Sequence, residues 1–225
     1  MIGLPGVCVG FGMAIVLLQH PASDTKPRDS FARWEKTISA LEQQQKQDGI
    51  KPGGIVFAGS SSIRLWNLAE SFPGLPVINS GFGGSQIRDC THFAPRIVLP
   101  HQPKQIVFYA GDNDINAKRT PEQVLADFQA FTRTVHEKLP KCQILFMAIK
   151  PSLRRWDQRA IQNEANQLIQ KFCQGDDRLD FVDIVPDMLD RDGKPRASLF
   201  AKDGLHLSAE GYEIWVKRLR PRLQP

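Results

Sequence analysis

Three consecutive serines, Ser60, Ser61 and Ser62, follow the apolar segment IVFAG at residues 55–59. They stand where a buried strand would end and before a segment that could begin a helix. A serine at the start of a helix often only accepts a hydrogen bond from the first turn, so the triplet has an ordinary structural explanation. A serine hydroxyl becomes a nucleophile when a base stands near enough to remove its proton. The other polar segments decide between these interpretations.

Three such segments occur further along the chain: NSGFGGS at 79–85, GDND at 111–114 and DGLH at 203–206. Each has a structural interpretation when taken alone, because glycine tolerates positive φ and Asn and Asp favour turns. A single histidine can also be a core residue. The glycine segment matches neither GxGxxG nor a P-loop, so it does not predict a phosphate site.

Together, the four segments supply the parts that ester hydrolysis through an acyl-enzyme needs. His206 can take a serine proton near neutral pH, and Asp203, three residues earlier, can orient the imidazole. The backbone amides of Ser61 and Gly84 and the side-chain amide of Asn113 can face a developing oxyanion. We therefore expect the chemistry of a serine esterase.

Five short apolar segments alternate with helical segments and predict the sheet that must position these groups. They are GIVFAG, ending near Gly59; PVINSG, near Asn79; KQIVFYAG, near Gly111; CQILFMAIK, near Lys150; and LDFVDI, near Asp183. Apolar strands separated by helices predict an α/β fold, a three-layer α/β/α sandwich with a five-stranded parallel sheet. Ligands of such sheets bind at the carboxyl ends of the strands, where the polar segments should gather.

Helical spacing predicts the covering helices at about 29–48, 120–139 and 157–172, with a last one from Ser208. The second has a Thr120 N-cap followed by Pro121 and Gln123. Its predicted buried stripe is Val124, Phe128, Phe131, Val135 and Leu139. We divide the chain into an apolar leader at 1–23, a linker and N-terminal helix at 24–51, and one domain at 52–225.

The leader carries no Lys, Arg, Asp or Glu before Asp24. Its length suits a signal peptide or a membrane anchor, and it slightly favours a periplasmic or membrane-anchored protein over a cytoplasmic one. A buried N-terminal segment and a misassigned start codon are the alternatives.

Composition sets the broad class of the protein. The 225 residues are 41% hydrophobic and 24% charged, which is typical of one globular domain. The net charge of +5 is interpreted as a solvated basic face, and no nucleic-acid partner is expected. Cys90, Cys142 and Cys173 form no CxxC spacing and are expected to be buried free thiols.

The four segments, in this order, resemble the motifs of the SGNH hydrolases, also called the GDSL esterases and lipases, over about residues 52–221. GSSS stands for the family's GDS block, with Ser60 in place of its usual aspartate. The resemblance implies a flavodoxin-like sandwich and ester hydrolysis without metal or cofactor. Matched by position, it implies that Ser61 is the nucleophile, with Ser60 and Ser62 as the alternatives. It also implies that Asp203 and His206 complete the triad, and that Ser61, Gly84 and Asn113 form the oxyanion hole. The segment LFAKDGLHLSAEGYEIW further resembles bacterial lysophospholipase L1-like members.

Two alternatives remain open at this point: a non-catalytic ligand-binding module on the same fold, and a metal-dependent phosphoesterase using Asp112 and Asp114. The expected substrate is a small-molecule acyl ester, with a short acyl group favoured because no apolar insertion suggests a lid. Its expected contacts are Trp66, Phe82, Ile115, Arg155 and Trp156, with a solvent-facing surface role as the alternative for the last two. The sequence predicts no oligomeric state.

Overall fold

The computed structural model of the chain describes residues 1–3, 31–49 and 52–224. Almost the whole predicted leader at 1–23, and the predicted linker, lie outside the described residues. Within these ranges, no helix combines the length and apolar character needed to cross a membrane. Phe31–Pro225 form one compact unit.

A five-stranded parallel sheet forms the centre of this unit, as the sequence predicts. Its strands are β1 (Ile55–Gly59), β2 (Val77–Gly81), β3 (Gln105–Tyr109), β4 (Gln143–Met147) and β5 (Leu179–Val182). Their order is β2-β1-β3-β4-β5, and every pairing is parallel. β2 continues to Gly81, two residues beyond its expected end, because Gly81 still pairs with Gly59.

The α-helices are α1 (Glu35–Gln47), α2 (Ser61–Arg64), α3 (Leu68–Ser71), α4 (Ile87–Ile97), α5 (Asp112–Asn116), α6 (Pro121–Lys138), α7 (Arg159–Cys173), α8 (Val185–Met188) and α9 (Ala209–Leu219). The 3₁₀ helices cover Ala32–Trp34, Leu99–His101, Trp156–Gln158, Ala197–Leu199 and Arg220–Arg222. The Thr120 hydroxyl accepts a hydrogen bond from the amide of Gln123, whose side chain in turn accepts from the amide of Thr120. This capping box begins α6 where the sequence predicts it.

Both faces of the sheet are covered, because neighbouring strand residues point in opposite directions. Val56, Phe108 and Phe146 pack on the side that also buries Ile38, Phe131 and Ile169 from α1, α6 and α7. Phe57, Tyr109 and Met147 pack on the side of Ile63 and Trp215, from α2 and α9. The predicted three-layer sandwich is therefore confirmed. Leu139 differs slightly from its prediction, since it is half-buried and follows the last residue of α6.

The strand order reverses at β1, which places the functional segments together. The chain passes from β1 to β2 on one side and then to β3 on the other. The segments that follow these three strands therefore meet at one edge, at the switch point where open α/β sheets bind ligands.

Candidate active site

A sharp turn at Gly59 carries the chain from β1 into α2. Gly59 has φ +142°, and a Cβ there would lie 1.9 Å from the carbonyl oxygen of Tyr109. Only glycine fits so close to the neighbouring strand. The amide of Ser60 then donates to the same Tyr109 carbonyl, at 3.0 Å. This turn places Ser61 at the start of α2, at the edge of the sheet.

Burial distinguishes the three serines of the triplet. Ser60 and Ser62 are 3% and 2% exposed, whereas Ser61 is half-buried. The hydroxyl of Tyr212, in α9, donates to the carbonyl of Ser62 at 2.9 Å and holds the start of α2 against the last helix. Ser61 is thus the serine of the triplet whose side chain a substrate can reach.

His206 lies between Ser61 and Asp203. Its Nε2 is 3.0 Å from Ser61 Oγ, and its Nδ1 is 2.5 Å from Asp203 Oδ2. The backbone amide of Leu205, and then the side chain of His206, hold the pKa of the Asp203 carboxyl well below its usual range. These hydrogen bonds outweigh the effect of its slight burial. An ionised carboxylate only accepts hydrogen bonds, so Nδ1 carries the proton and Nε2 can accept from Ser61.

The turn that holds Asp203 and His206 depends on Gly204, which has φ +67°. Asp203 Oδ1 accepts from the amides of Leu205 and His206 at 2.9 and 3.0 Å. The carboxylate is therefore fixed by its own turn at one oxygen and faces the imidazole with the other.

Gly84 and Asn113 lie on the segments that follow β2 and β3. Gly84 is exposed, with φ +76°, and a Cβ there would contact the indole of Trp34 at 3.4 Å. Asn113 Nδ2 donates to the carbonyl of Ser85 at 3.1 Å, which joins the two segments. Trp34 belongs to the N-terminal helical region, and the sequence offered no signal that it approaches this loop.

A buried group of charges lies behind Asn113. Lys150 Nζ is 3.1 Å from Asp112 Oδ2, and Arg155 Nη1 is 2.9 Å from Asp112 Oδ1. Burial alone would raise the pKa of Asp112, but the two cations outweigh it and hold the pKa below its usual range. Asp112 is therefore a carboxylate already neutralised by the protein.

Asp114 is also engaged with the protein, since its Oδ1 accepts from the amide of Ile87 at 3.0 Å. Across the described ranges, no group of three or more His, Cys, Asp or Glu residues is placed to hold a metal ion. Both oxygens of Asp112 are thus paired with cations, whereas Asp114 uses one oxygen for the Ile87 amide and buries the other.

The structure corrects several of the expected substrate contacts. Phe82 and Ile115 are 0% and 2% exposed and belong to the core, so the prediction that they line the pocket is wrong. Phe82 turns beneath its loop and packs edge-on against Trp34, with ring centroids 5.3 Å apart. Arg155 turns inward to Asp112 and Asn113 instead of facing solvent. Trp156 is half-buried, and its role stays a prediction.

Trp66 is almost buried but borders a groove of about 520 Å³. Its Nε1 donates to Ser71 Oγ at 2.9 Å, so the polar end of the indole is satisfied within the protein. Leu65, Tyr212 and Val216 also line this groove. Its walls are the segment from Leu65 to Ser71, which follows α2 and includes α3, and one face of α9.

The chain is similar in sequence or in fold to several known proteins. Human platelet-activating factor acetylhydrolase IB subunit alpha1 is 28% identical over 201 residues, covering 86% of this chain and 85% of the relative. A solved structure described as a candidate platelet activating factor from Streptococcus pneumonia has TM-score 0.76 at 22% identity and covers 86% of this chain and 94% of its own. An acetyl-xylooligosaccharide esterase from Geobacillus has TM-score 0.60 at 16% identity, covering 76% of this chain and 94% of its own. The two solved structures show the fold.

A family model matches residues 58–214, which include all four polar segments. The match runs from the end of β1 into α9. The chain belongs to the GDSL-like lipase/acylhydrolase family.

Proposed function

We propose that this protein is a serine esterase that hydrolyses small O-acyl esters through an acyl-enzyme. The observation that carries the proposal is the hydrogen-bonded series from Ser61 Oγ to His206 Nε2 at 3.0 Å, and from His206 Nδ1 to Asp203 Oδ2 at 2.5 Å. These groups have the order and the reach that proton transfer from a serine to a histidine needs.

In the first half of the reaction, His206 Nε2 takes the proton of Ser61 while Oγ bonds to the carbonyl carbon of the ester. The carbonyl oxygen becomes an oxyanion, and the donors we assign to it are the amides of Ser61 and Gly84 and Nδ2 of Asn113. When the tetrahedral intermediate collapses, the bond to the alcohol breaks and His206 returns its proton to the leaving oxygen.

In the second half, His206 takes a proton from water, and the resulting hydroxide attacks the acyl group on Ser61. The second tetrahedral intermediate releases the carboxylic acid, and the proton returns from His206 to Ser61 Oγ. Asp203 stays ionised throughout and stabilises the imidazolium in both halves.

We propose acetyl or another short acyl chain as the acyl group. Two relatives are named for acetyl esters with different alcohol parts. One is a platelet-activating factor acetylhydrolase and the other is an acetyl-xylooligosaccharide esterase. A Cβ on Gly84 would lie 3.4 Å from the Trp34 indole, so the space beside this loop is limited. A lysophospholipase acting on a longer chain is compatible with the same catalytic groups.

The test is a burst experiment with p-nitrophenyl acetate. Wild-type protein should release one equivalent of p-nitrophenol per active site before steady turnover, because acylation produces phenol before deacylation. Ser61→Ala should lose the burst and turn over at least about 10³-fold more slowly, since its nucleophile is gone. Ser60→Ala and Ser62→Ala are matched controls and should keep the burst.

A burst that persists in Ser61→Ala would overturn the proposal. Absence of turnover on p-nitrophenyl esters from two to eight carbons, together with no mass increase after exposure to a fluorophosphonate, would favour a non-catalytic binding module. A screen of acetylated sugars and lysophospholipids, with Ser61→Ala as the blank, then separates the substrate classes.

A further inference from the structure

We propose that Arg155 is a positioning residue that sets the orientation of the Asn113 side chain, so that its Nδ2 and not its Oδ1 faces the oxyanion. The inference rests on the proposed function, because it concerns one donor of the proposed oxyanion hole.

The contact between the two side chains settles which way the amide is turned. Nη1 and Nη2 of Arg155 both lie 3.2 Å from Asn113 Oδ1. A guanidinium donates hydrogen bonds and accepts none, so the oxygen of the amide must face it. Nδ2 then points to the other side, where one of its two N–H groups donates to the carbonyl of Ser85. We assign the second N–H to the oxyanion. If the amide were turned round, it would bring a carbonyl oxygen toward the developing negative charge.

Arg155 is itself held in place from below. Its side chain is 12% exposed, and Nη1 lies 2.9 Å from Asp112 Oδ1. The other oxygen of Asp112 accepts from Lys150, whose side chain is 2% exposed. The same guanidinium contacts Asp112 and Asn113. If it moved away from Asn113, it would also leave the buried Asp112 carboxylate with one cation fewer, which is costly.

This group also affects the charge behind the site. It contains two cations, Lys150 and Arg155, and one carboxylate, Asp112, so its net charge is positive. A charge effect would act on the oxyanion with or without Asn113, because the interior screens it less than water does, whereas positioning acts only through that amide. A double-mutant cycle of the two residues separates these effects.

The alternative role for Arg155 is direct contact with an anionic or sugar group of the substrate. The inward direction of the guanidinium, and its engagement by both Asp112 and Asn113, argue for the positioning role. The two roles predict different kinetics: a substrate contact raises KM, whereas a misplaced oxyanion donor lowers kcat.

The experiment compares Arg155→Ala and Arg155→Lys with wild type on p-nitrophenyl acetate. Arg155→Ala should lower kcat about 10- to 100-fold with KM changed by less than about 3-fold, a smaller loss than the about 10²–10³-fold that removing an oxyanion donor costs. Arg155→Lys keeps a charge beside Asp112 but cannot hold Oδ1 with two nitrogens, so its kcat should also fall. Arg178→Ala, which removes an arginine paired with Asp176 before β5, is the matched control and should keep wild-type kcat.

A double-mutant cycle then separates positioning from any other effect. Asn113→Ala removes the donor, so adding Arg155→Ala to Asn113→Ala should slow the enzyme by less than about 3-fold further. A phenylboronic acid forms a tetrahedral adduct that places an oxygen where the oxyanion forms. Its inhibition constant should increase in Arg155→Ala by a factor similar to the loss of kcat.

The outcomes distinguish this inference from the proposed function. Losses that multiply in the double variant, or a raised KM with kcat unchanged, would overturn the positioning role. If Asn113→Ala retains full kcat, the proposed oxyanion hole is wrong, and the inference fails with it. If Arg155→Ala does not fold, Arg155→Lys decides the question, because it leaves Asp112 a cationic neighbour. Wild-type kcat in Arg155→Lys would show that the contact of two guanidinium nitrogens with Asn113 Oδ1 is not needed.

Discussion

Asp203 Oδ2 lies 2.5 Å from His206 Nδ1, and both residues belong to one four-residue turn. The other oxygen of the same carboxylate accepts hydrogen bonds from the backbone amides of Leu205 and His206. The turn that places the carboxylate is thus also the turn that places the imidazole. The relation between the two side chains depends little on the rest of the fold.

We expect Asp203→Asn to lower kcat by about 10²–10⁴-fold with little change in stability. An asparagine can cap the same turn through Oδ1, but its amide can donate to Nδ1 and favour the wrong imidazole tautomer. Steady-state kinetics and thermal unfolding measure the two effects. Asp190→Asn is the matched control, because Asp190 accepts the amides of Asp192 and Lys194 in a similar exposed turn. Equal kinetics in the two variants would contradict the role of Asp203.

Replacing Gly59 by alanine should unfold much of the protein. A Cβ would meet the Tyr109 carbonyl at 1.9 Å, and φ is +142°. We expect the free energy of unfolding to fall by at least about 3 kcal/mol, measured in urea. Gly193→Ala is the matched control, since Gly193 has φ +72° with nothing within 4 Å of its Cβ position. Backbone strain alone there should cost about 1 kcal/mol. Similar losses in both variants would show that the close approach of β3 does not matter.

Asp114 should make the protein less stable as pH rises. Burial raises the pKa of Asp114 to about 7 from an ordinary value of 3.8. The folded state therefore binds this proton more tightly than the unfolded state, so the contribution of Asp114 to stability is greatest below about pH 4. This advantage is lost between about pH 4 and 7, at about 1.4 kcal/mol for each pH unit.

The measurement is urea unfolding of wild type and Asp114→Asn at pH 5 and pH 8. Asparagine keeps an oxygen for the Ile87 amide and does not ionise, so the variant should lose less stability over this interval. Asp177→Asn, at an exposed position, should follow wild type. Parallel pH dependences in Asp114→Asn and wild type would contradict the raised pKa.

Cys90, Cys142 and Cys173 should not react with a maleimide in the native protein. All three are buried free thiols, as the sequence predicts. Burial raises the pKa of Cys142 and Cys173 to about 12, and that of Cys90 further, so almost no thiolate forms at neutral pH. Intact-mass measurement after labelling, with and without 6 M guanidinium, should show these three sites only when the protein is unfolded. Labelling of any of them in the native protein would show that its helix or strand opens readily.

The sequence predicts the sheet, and the meeting of the polar segments at one of its edges, for a physical reason. Buried parallel strands are short apolar runs, and the residues just past them share one edge of the sheet. The pair Asp203 and His206 is local in sequence, so its contact follows from the length of the turn. Ser61 and His206 are joined only through the fold, but each stands at a strand or helix end that the apolar pattern defines.

The direction of individual side chains could not be read in the same way. Phe82 and Ile115 stand beside the catalytic motifs in sequence, yet one packs on Trp34 and both are buried. Arg155 stands 42 residues from Asn113, and its inward turn depends on the buried Asp112. Such contacts are set by packing between segments distant in the chain, which periodicity does not encode.

Ser61 and His206 stand 145 residues apart, and the imidazole arrives on the turn just before the last α-helix. A ribosome must therefore complete most of the polypeptide before the Ser61 hydroxyl meets the His206 imidazole, and under the proposed mechanism a nascent chain would carry an inert serine until then. For the same reason, the return of turnover after dilution from denaturant would report when the segment that carries His206 and α9 packs onto the sheet. Enzymatic activity would then measure the last stage of refolding.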